Sequence, residues 1–366
     1  MLKVANAWSK SCNVSILTPR DSEHPVKALA PNAEVLTYPS HLECDQLLNG
    51  SLRTALLSLA RAFVCSLQRN TADVVLATSH YPHDVIPAII HSLRNGGVPV
   101  IVYVHGVLIP REKGLVNFIL SLTYNYVGYY LSKLRASLVF CIDEPTRSLL
   151  ASIGYPTQQL IPTTNGVDAS IAEKCSTKEY DGCYLGRFVR SKGVFDLIEV
   201  WRKVCDQRPQ ARLLLIGSGE ETARIREFAD TLGLSNNVKI VNEWVFDREK
   251  LELIMKSRVF ISPSYLESWP IAIAEAIVSR VPVLVYALAA YRRSFGEFLG
   301  SSLYPVPVGD KDQLASGMLR LLQNPIAERI LSANSKRLLE KHEWTAVARN
   351  ELKFIENTLS RKMVLG

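Results

Sequence analysis

The stretch RVFISPSYLESWPIAIAEAIVSRVPVLVYA, residues 258–287, predicts a strand, a loop, a helix and a second strand. The segments 258–264 and 281–287 are rich in apolar residues, which is typical of strands in a sheet covered on both faces. Pro270 favours a helix that begins nearby, because proline is tolerated in a first turn. Glu267 and Glu275 lie between the strands with seven residues separating them. Since a lone buried carboxylate is costly, the pattern predicts that both acids face a polar ligand.

The alternation of apolar strands with helical segments continues through most of the chain. Further strand candidates are residues 13–19, 73–79, 98–106, 136–143, 181–188, 211–219 and 237–244. Such alternation predicts parallel sheets with helices on both faces. A chain of 366 residues is longer than a single hydrophobic core usually supports. We therefore predict an α/β fold of two facing doubly wound, Rossmann-like domains.

The predicted domain boundaries follow from a break in this rhythm. Residues 161–174 contain the turn formers Pro162, Asn165 and Gly166, which indicates an interdomain segment. We therefore predict an N-terminal domain over 1–168 and a C-terminal domain over 169–343. An amphipathic helix within 344–366 is expected to cross back onto the first domain. Asn165, Gly166 and Asp168 are interpreted as hinge geometry rather than chemistry.

Composition narrows the partners and the compartment. The chain has 42 basic and 35 acidic residues, a net charge of +7, and no dense basic block. This balance suits an anionic substrate or membrane surface and does not favour nucleic acid. The seven cysteines form no C-x-x-C pair, so neither a zinc site nor a disulfide framework is indicated. With no apolar leader at the N-terminus, we predict a cytoplasmic protein, peripheral on the inner membrane face if it meets lipid.

The uncharged segment 114–132, GLVNFILSLTYNYVGYYLS, has two interpretations. Its length approaches that of a membrane-spanning helix, but it contains several Asn, Ser, Thr and Tyr residues. It is either a domain helix with an aromatic packing face or a helix whose face contacts the bilayer or a lipid substrate. Both interpretations stay open from the sequence.

The segment that follows the strand candidate 181–188 points to an anion site. Arg187 and Lys192 lie on a loop that opens a helix, an arrangement suited to a diphosphate. By itself this loop is equally consistent with incidental surface charges. The GSGEET segment, 217–222, has Thr222 in place of the third glycine of a dinucleotide motif, which argues against a nicotinamide cofactor.

Four motifs together resemble one enzyme family. They are LGRFVRSKG (185–193), TTNGVD (163–168), SPSYLESWPIAIAEAI (262–277) and VHG (104–106). Taken together, in their order and spacing along the chain, they resemble the retaining glycosyltransferases of the two-Rossmann-domain GT-B class, family 4, the glycosyl transferases group 1. The resemblance implies transfer of a hexose-type sugar from a nucleoside diphosphate sugar to a hydroxyl of a glycan or lipid-linked acceptor. It also implies retention at the anomeric carbon, no metal and no further cofactor.

The resemblance also implies roles for individual residues. Glu275 would hold the ribose hydroxyls and Glu267 the sugar hydroxyls, so that ligand hydroxyls rather than cations pair both acids. Arg187 and Lys192 would neutralise the departing diphosphate, and His105 would lie near the reacting sugar. The remaining donor-binding positions implied are Gly186, Ser268, Trp269, Pro270 and Ile271.

The N-terminal region departs from the family pattern. The family has an earlier strand and a glycine-rich loop, whereas this sequence opens with a predicted helix followed by the strand candidate 13–19. We expect that strand and 73–79 to meet across a gap or leave open edges. We therefore expect either that the reading frame is N-terminally incomplete or that the protein is catalytically impaired.

Two alternatives remain beside the transferase interpretation. A sugar-nucleotide epimerase of the same two-domain shape is one, and a non-catalytic partner subunit is another. His80 and His83 are candidates for lining an acceptor cleft. Metal binding by this pair is disfavoured, because no acidic or cysteine ligands cluster beside it.

Overall fold

The computed structural model describes residues 1–40, 52–68, 70–106, 115–169, 177–242 and 247–365. The chain divides into two compact units. Unit 1 comprises Met1–Thr164 and Trp344–Gly366, and unit 2 comprises Asn165–Glu343. Both units combine parallel sheets with helices, so the predicted α/β class is confirmed.

The strands are β1 (Ser15–Pro19), β2 (Glu34–Tyr38), β3 (Val75–Ala77), β4 (Val100–Val104), β5 (Ala136–Cys141), β6 (Leu160–Pro162), β7 (Tyr180–Leu185), β8 (Leu213–Ile216), β9 (Val238–Val241), β10 (Ser257–Ser262), β11 (Val283–Tyr286) and β12 (Leu303–Val306). The helices are α1 (Leu2–Trp8), α2 (Glu23–Leu29), α3 (Leu52–Ser66), α4 (Pro82–Arg94), α5 (Leu115–Arg135), α6 (Glu144–Ser152), α7 (Val194–Gln207), α8 (Thr222–Thr231), α9 (Asp247–Met255), α10 (Ile271–Val278), α11 (Ala289–Phe295), α12 (Lys311–Gln323), α13 (Glu328–His342) and α14 (Trp344–Leu365).

Unit 2 contains a six-stranded parallel sheet in the order β12-β11-β10-β7-β8-β9. Counted within the unit, this is 6-5-4-1-2-3, the doubly wound order whose direction reverses between β7 and β10. Helices α7, α8 and α12 pack on one face, where Leu213 and Leu215 join their core. Leu214, between them, is also buried. Both faces of β8 are therefore covered, as the continuous apolar strands predicted.

Unit 1 has two parallel sheets among its described residues, β1-β2 and β3-β4-β5-β6. Helices α4 and α5 contribute Val85 and Tyr129 to the core on one face of the larger sheet. Helices α1 and α14 contribute Trp8 and Ile355 to the core on the other face. The Trp8 indole N–H donates to the carbonyl oxygen of Ala348 at 2.8 Å, which ties these two helices together.

The structure also corrects the segmentation. Strands β2, β6 and β12 were not predicted, and β6 occupies the start of the segment interpreted as a linker. Both β6 and β12 lie at sheet edges and contain a proline, which weakens a strand signal in the sequence. Strand β1 pairs only with β2, and β3 only with β4, within the described chain.

The described elements also show to which unit α14 belongs and whether any helix could span a membrane. Helix α14 belongs to unit 1, and the unit boundary falls between Thr164 and Asn165, a few residues before the predicted one. Within the described ranges, no helix combines the length and the apolar character needed to cross a bilayer.

Candidate functional site

The site is built where the order of the unit 2 sheet reverses. Strands β7 and β10 are neighbours there, so the loops that leave their carboxyl ends, 186–193 and 263–270, lie together. Gly193 has a left-handed φ of 67°, and a Cβ at this position would lie 1.9 Å from the carbonyl oxygen of Pro263. The Tyr265 N–H donates to the carbonyl oxygen of Ser191 at 2.9 Å. Glycine thus permits the two loops to approach closely.

Lys192 and Glu267 meet at this junction. The Lys192 ammonium lies 2.6 Å from Glu267 Oε1, with side-chain exposures of 21% and 11%. Burial raises the pKa of the Tyr184 and Tyr291 hydroxyls, and the nearby Glu267 charge raises both further. The junction therefore holds one cation and one carboxylate in a partly buried, aromatic setting.

A second lysine–carboxylate pair lies on the next elements. Glu275, on α10, is 2.6 Å from the ammonium of Lys250 on α9, and the two side chains are 9% and 18% exposed. Lys250 was missed from the sequence. Its position near the start of α9 could have identified it, because a helix that follows a parallel strand begins at the carboxyl edge of the sheet, where ligands bind.

The expected pairing of the two acids is wrong in one respect. Glu267 and Glu275 were expected to be paired by ligand hydroxyls rather than by cations, yet each lies 2.6 Å from a lysine. The physical reason is that a mostly buried carboxylate needs a charged or hydrogen-bonding partner in the protein itself. A ligand must therefore compete with these lysines or share them.

Arg187 and Gly186 occupy the start of the first loop. Arg187 is exposed and forms no ion pair with any carboxylate of the described ranges. The Gly186 N–H donates to the carbonyl oxygen of Ile216 at 3.0 Å. A Cβ on Gly217 would lie 2.0 Å from the Gly186 carbonyl oxygen. The GSG segment is thus explained by close packing against this loop.

The segment 268–271 leads into α10. Trp269 is buried, with its ring 5.4 Å from that of Phe295 and 5.5 Å from that of His342. Pro270 is the N-cap of α10. Ile271 is exposed and Ser268 is half-buried. The Trp269 indole therefore packs within unit 2.

A tyrosine–aspartate network fixes the second loop and was not foreseen. Asp196, in the first turn of α7, accepts hydrogen bonds from the hydroxyls of Tyr265 at 2.5 Å and Tyr286 at 2.7 Å. The hydrogen bond to Asp196 is the main cause that raises the pKa of Tyr265 to about 12. This network attaches the loop that carries Glu267 to α7.

His105 lies at the carboxyl edge of the unit 1 sheet. It follows β4, and its Nε2 donates to the carbonyl oxygen of Thr78, which follows the adjacent β3, at 2.9 Å. Its ring stacks on Tyr103 with 5.9 Å between centroids. The Tyr103 hydroxyl donates to Glu351 of α14 at 2.6 Å, and burial raises the pKa of that carboxyl. Tyr103 thus connects His105 to α14 through a ring contact and a hydrogen bond.

His80 and His83 are buried rather than aligned on an open surface. The His80 Nε2 donates to Asn125 Oδ1 at 2.8 Å, and the ring stacks on Tyr129 at 4.3 Å. His83 Nδ1 lies 2.8 Å from the Tyr124 hydroxyl. His83 therefore links α4 to α5, and His80 links the segment just before α4 to α5. Among the described residues, no group of three or more His, Cys, Asp or Glu side chains is arranged to hold a metal.

The buried His80 predicts a loss of stability in mild acid. Burial lowers its pKa to about 4, against about 6.5 in an unfolded chain. The unfolded state therefore gains the proton first, and the free energy of unfolding falls as the pH drops from about 6.5 towards 4. We expect His80 to contribute on the order of 2–3 kcal/mol to this fall, with His83 acting in the same direction.

Urea unfolding at several pH values between 7 and 5 measures this dependence. His80→Gln should flatten it, whereas the matched His24→Gln, at an exposed position on α2, should leave it unchanged. Equal slopes in the wild type and His80→Gln would show that this histidine does not control acid stability.

Comparison with known proteins supplies the family. A family model described as "Glycosyl transferases group 1" matches residues 170–338, and one described as "Glycosyltransferase Family 4" matches residues 1–171. The first match contains Lys192, Glu267, Lys250 and Glu275, and the second contains His105. The two models together account for nearly the whole chain.

Individual relatives are distant. A phosphatidyl-myo-inositol mannosyltransferase of Mycobacterium leprae is 27% identical over 175 residues, covering 47% of this chain and 45% of that protein. An uncharacterized glycosyltransferase of Methanocaldococcus jannaschii is 22% identical over 186 residues, covering 47% and 44%. The chain thus spans about half the length of the curated relatives it matches. The structure of HepE from Anabaena in complex with UDP and glucose superposes with a TM-score of 0.73 at 15% identity, covering 97% and 94% of the two chains, which indicates a shared fold.

Proposed function

The chain belongs to the group 1 glycosyltransferases of the GT-B fold class, and on that premise we propose its reaction. It transfers a hexose-type sugar from a nucleoside diphosphate sugar to a hydroxyl of a glycan or lipid-linked acceptor. The configuration at the anomeric carbon is retained. The observation that carries this proposal is the pair of lysine–carboxylate contacts at the carboxyl edge of the unit 2 sheet, Lys192–Glu267 and Lys250–Glu275.

Donor binding changes the hydrogen-bond partners of both carboxylates, and in the first pair it separates the lysine from its acid. The diphosphate competes with Glu267 for Lys192, since phosphate oxygens and a carboxylate both accept from an ammonium. Once Lys192 binds phosphate, Glu267 accepts hydrogen bonds from sugar hydroxyls. Glu275 accepts hydrogen bonds from the ribose hydroxyls while keeping Lys250 as a neighbour. HepE, which shares the fold, was solved with UDP and glucose, and this supports a nucleotide-sugar donor.

The chemical step needs charge stabilisation more than a nucleophile. The bond between the anomeric carbon and the β-phosphate oxygen breaks while the acceptor oxygen bonds to that carbon from the same face. The acceptor proton passes to the departing phosphate oxygen. Lys192 and Arg187 stabilise the negative charge on the diphosphate, and fixed cations of this kind do the work that a metal does elsewhere. The position of His105 near the reacting sugar, which the family resemblance implies, stays a prediction.

The test begins with binding and continues with turnover. A thermal-shift screen with UDP, GDP, ADP and dTDP should identify one nucleotide that raises the melting temperature, because a ligand specific for the native state stabilises it. The matching sugar nucleotide is then incubated with glycan and lipid-linked acceptors, with and without EDTA. We expect an acceptor product with the anomeric configuration of the donor, formed at the same rate in both conditions.

Other outcomes separate the alternatives. An epimerised sugar nucleotide without acceptor product indicates an epimerase. Donor binding without turnover until a second chain is added indicates a partner subunit. Loss of transfer in EDTA, restored by magnesium or manganese, contradicts the metal-independent mechanism.

A further inference from the structure

Helix α3 presents an apolar face to solvent. Leu56, Leu59, Phe63 and the adjacent Leu67 are between 51% and 67% exposed. Their spacing of three or four residues places them within about 100° around the helix axis. Isolated exposed apolar residues are ordinary, but a contiguous set on one face marks an interaction surface.

Helix α5 presents a second face of the same kind. Its exposed apolar side chains are Ile119, Tyr126, Val127, Tyr130 and Leu134, with exposures between 44% and 64%. They also fall within a sector of about 100° around the helix axis. Helices α3 and α5 both pack against α4, which adds the exposed Leu93. We call these exposed residues of α3, α4 and α5, together with Leu67, the apolar face of unit 1.

The two helices that carry most of this face contain no acidic residue. Their described basic side chains are Arg61, Lys133 and Arg135, whereas the acidic residue of α4 is Asp84. Arg61 is engaged by Asp84 of α4 at 3.1 Å, whereas Arg135 is exposed. An apolar face with tyrosines and a basic margin fits the interface of an anionic bilayer, where amphipathic rings lie at headgroup depth.

We propose that the apolar face of unit 1 binds the surface of an anionic lipid bilayer, with α3 and α5 lying in the plane of the interface. The sequence alone allowed bilayer contact by the segment 114–132. The proposal extends this contact to α3. A second copy of the chain docked through the same face would bring like cations together, whereas acidic headgroups neutralise them. The binding does not depend on the proposed reaction.

Vesicle sedimentation tests the proposal directly. The full chain is mixed with vesicles of phosphatidylcholine alone, and with vesicles in which about a third of the lipid is phosphatidylglycerol. We expect binding to the second kind that weakens as salt is raised. Phe63→Asp and Tyr130→Asp should each reduce the bound fraction about tenfold, because each places a carboxylate at the interface. Both side chains are already exposed, so the fold should persist.

Phe354→Asp, at an exposed phenylalanine of α14 in the same unit, is the matched control and should bind like the wild type. Failure of the wild type to bind anionic vesicles at low salt overturns the proposal. Equal binding by Phe63→Asp and the wild type does so too. A dimer seen by light scattering without lipid, and abolished by Phe63→Asp, would assign the face to a second copy instead. Nucleotide-induced thermal shifts are recorded on every variant, so loss of the donor site is distinguished from loss of lipid binding.

Discussion

Lys192→Ala is expected to lower kcat for sugar transfer about 100-fold or more, because it removes a preorganised cation beside the departing diphosphate. Lys192 lies between the two loops at the point where the strand order of the unit 2 sheet reverses, and Glu267 holds it at 2.6 Å. Arg187→Ala should lower kcat by a smaller factor, because that side chain is exposed and solvent partly replaces its charge. Steady-state kinetics with saturating donor measure both effects.

Lys256→Ala is the matched control for this prediction. Lys256 pairs with Glu179 at 2.9 Å beside the amino end of β10, at the opposite edge of the same sheet. Its loss should leave kcat unchanged. Since Lys192→Ala also leaves Glu267 mostly buried without its lysine, a thermal melt establishes that the variant is folded. A folded Lys192→Ala enzyme with kcat within about threefold of the wild type would remove Lys192 from the chemical step.

The fold followed from the sequence because both faces of the unit 2 sheet are covered. Continuous apolar strands such as 211–219 and 281–287 carry a strong signal, and β8 and β11 lie within those segments. Prolines at edge strands β6 and β12 removed that signal. The locations of Glu267 and Lys192 followed from the rule that ligands bind at the carboxyl ends of parallel strands.

The pairing of the acids did not follow, because it depends on contacts between elements distant in sequence. Lys250 precedes Glu275 by a strand and a loop, and the sequence alone does not specify which face of α9 meets α10. Asp196 likewise reaches Tyr265 across 69 residues. The exposed face of α3 was missed for another reason. Periodic apolar residues predict an amphipathic helix, but they do not reveal whether the apolar side is covered.

Glu275→Ala is expected to weaken binding of the nucleoside diphosphate about 10- to 150-fold, the cost of about 1.5–3 kcal/mol for one lost charged hydrogen bond. Glu267→Ala should instead act mainly on kcat, because that carboxylate lies in the loop beside Lys192 rather than on α10. Glu275→Gln keeps the volume and one acceptor, and it should lose less affinity than Glu275→Ala. Isothermal titration calorimetry with the nucleotide selected by thermal shift measures each affinity.

Lys250 makes this prediction sharper, because it should act through Glu275. With 2.6 Å between them, the ammonium holds the carboxylate in position. Lys250→Ala alone should weaken nucleotide binding, whereas adding it to Glu275→Ala should change little, so the two effects are not additive. Glu297→Ala, which breaks the contacts with Arg337 and Lys341 elsewhere in unit 2, is the matched control and should bind normally. A folded Glu275→Ala variant with wild-type affinity would exclude Glu275 from the ribose site, and additive losses would show that Lys250 contacts the nucleotide independently.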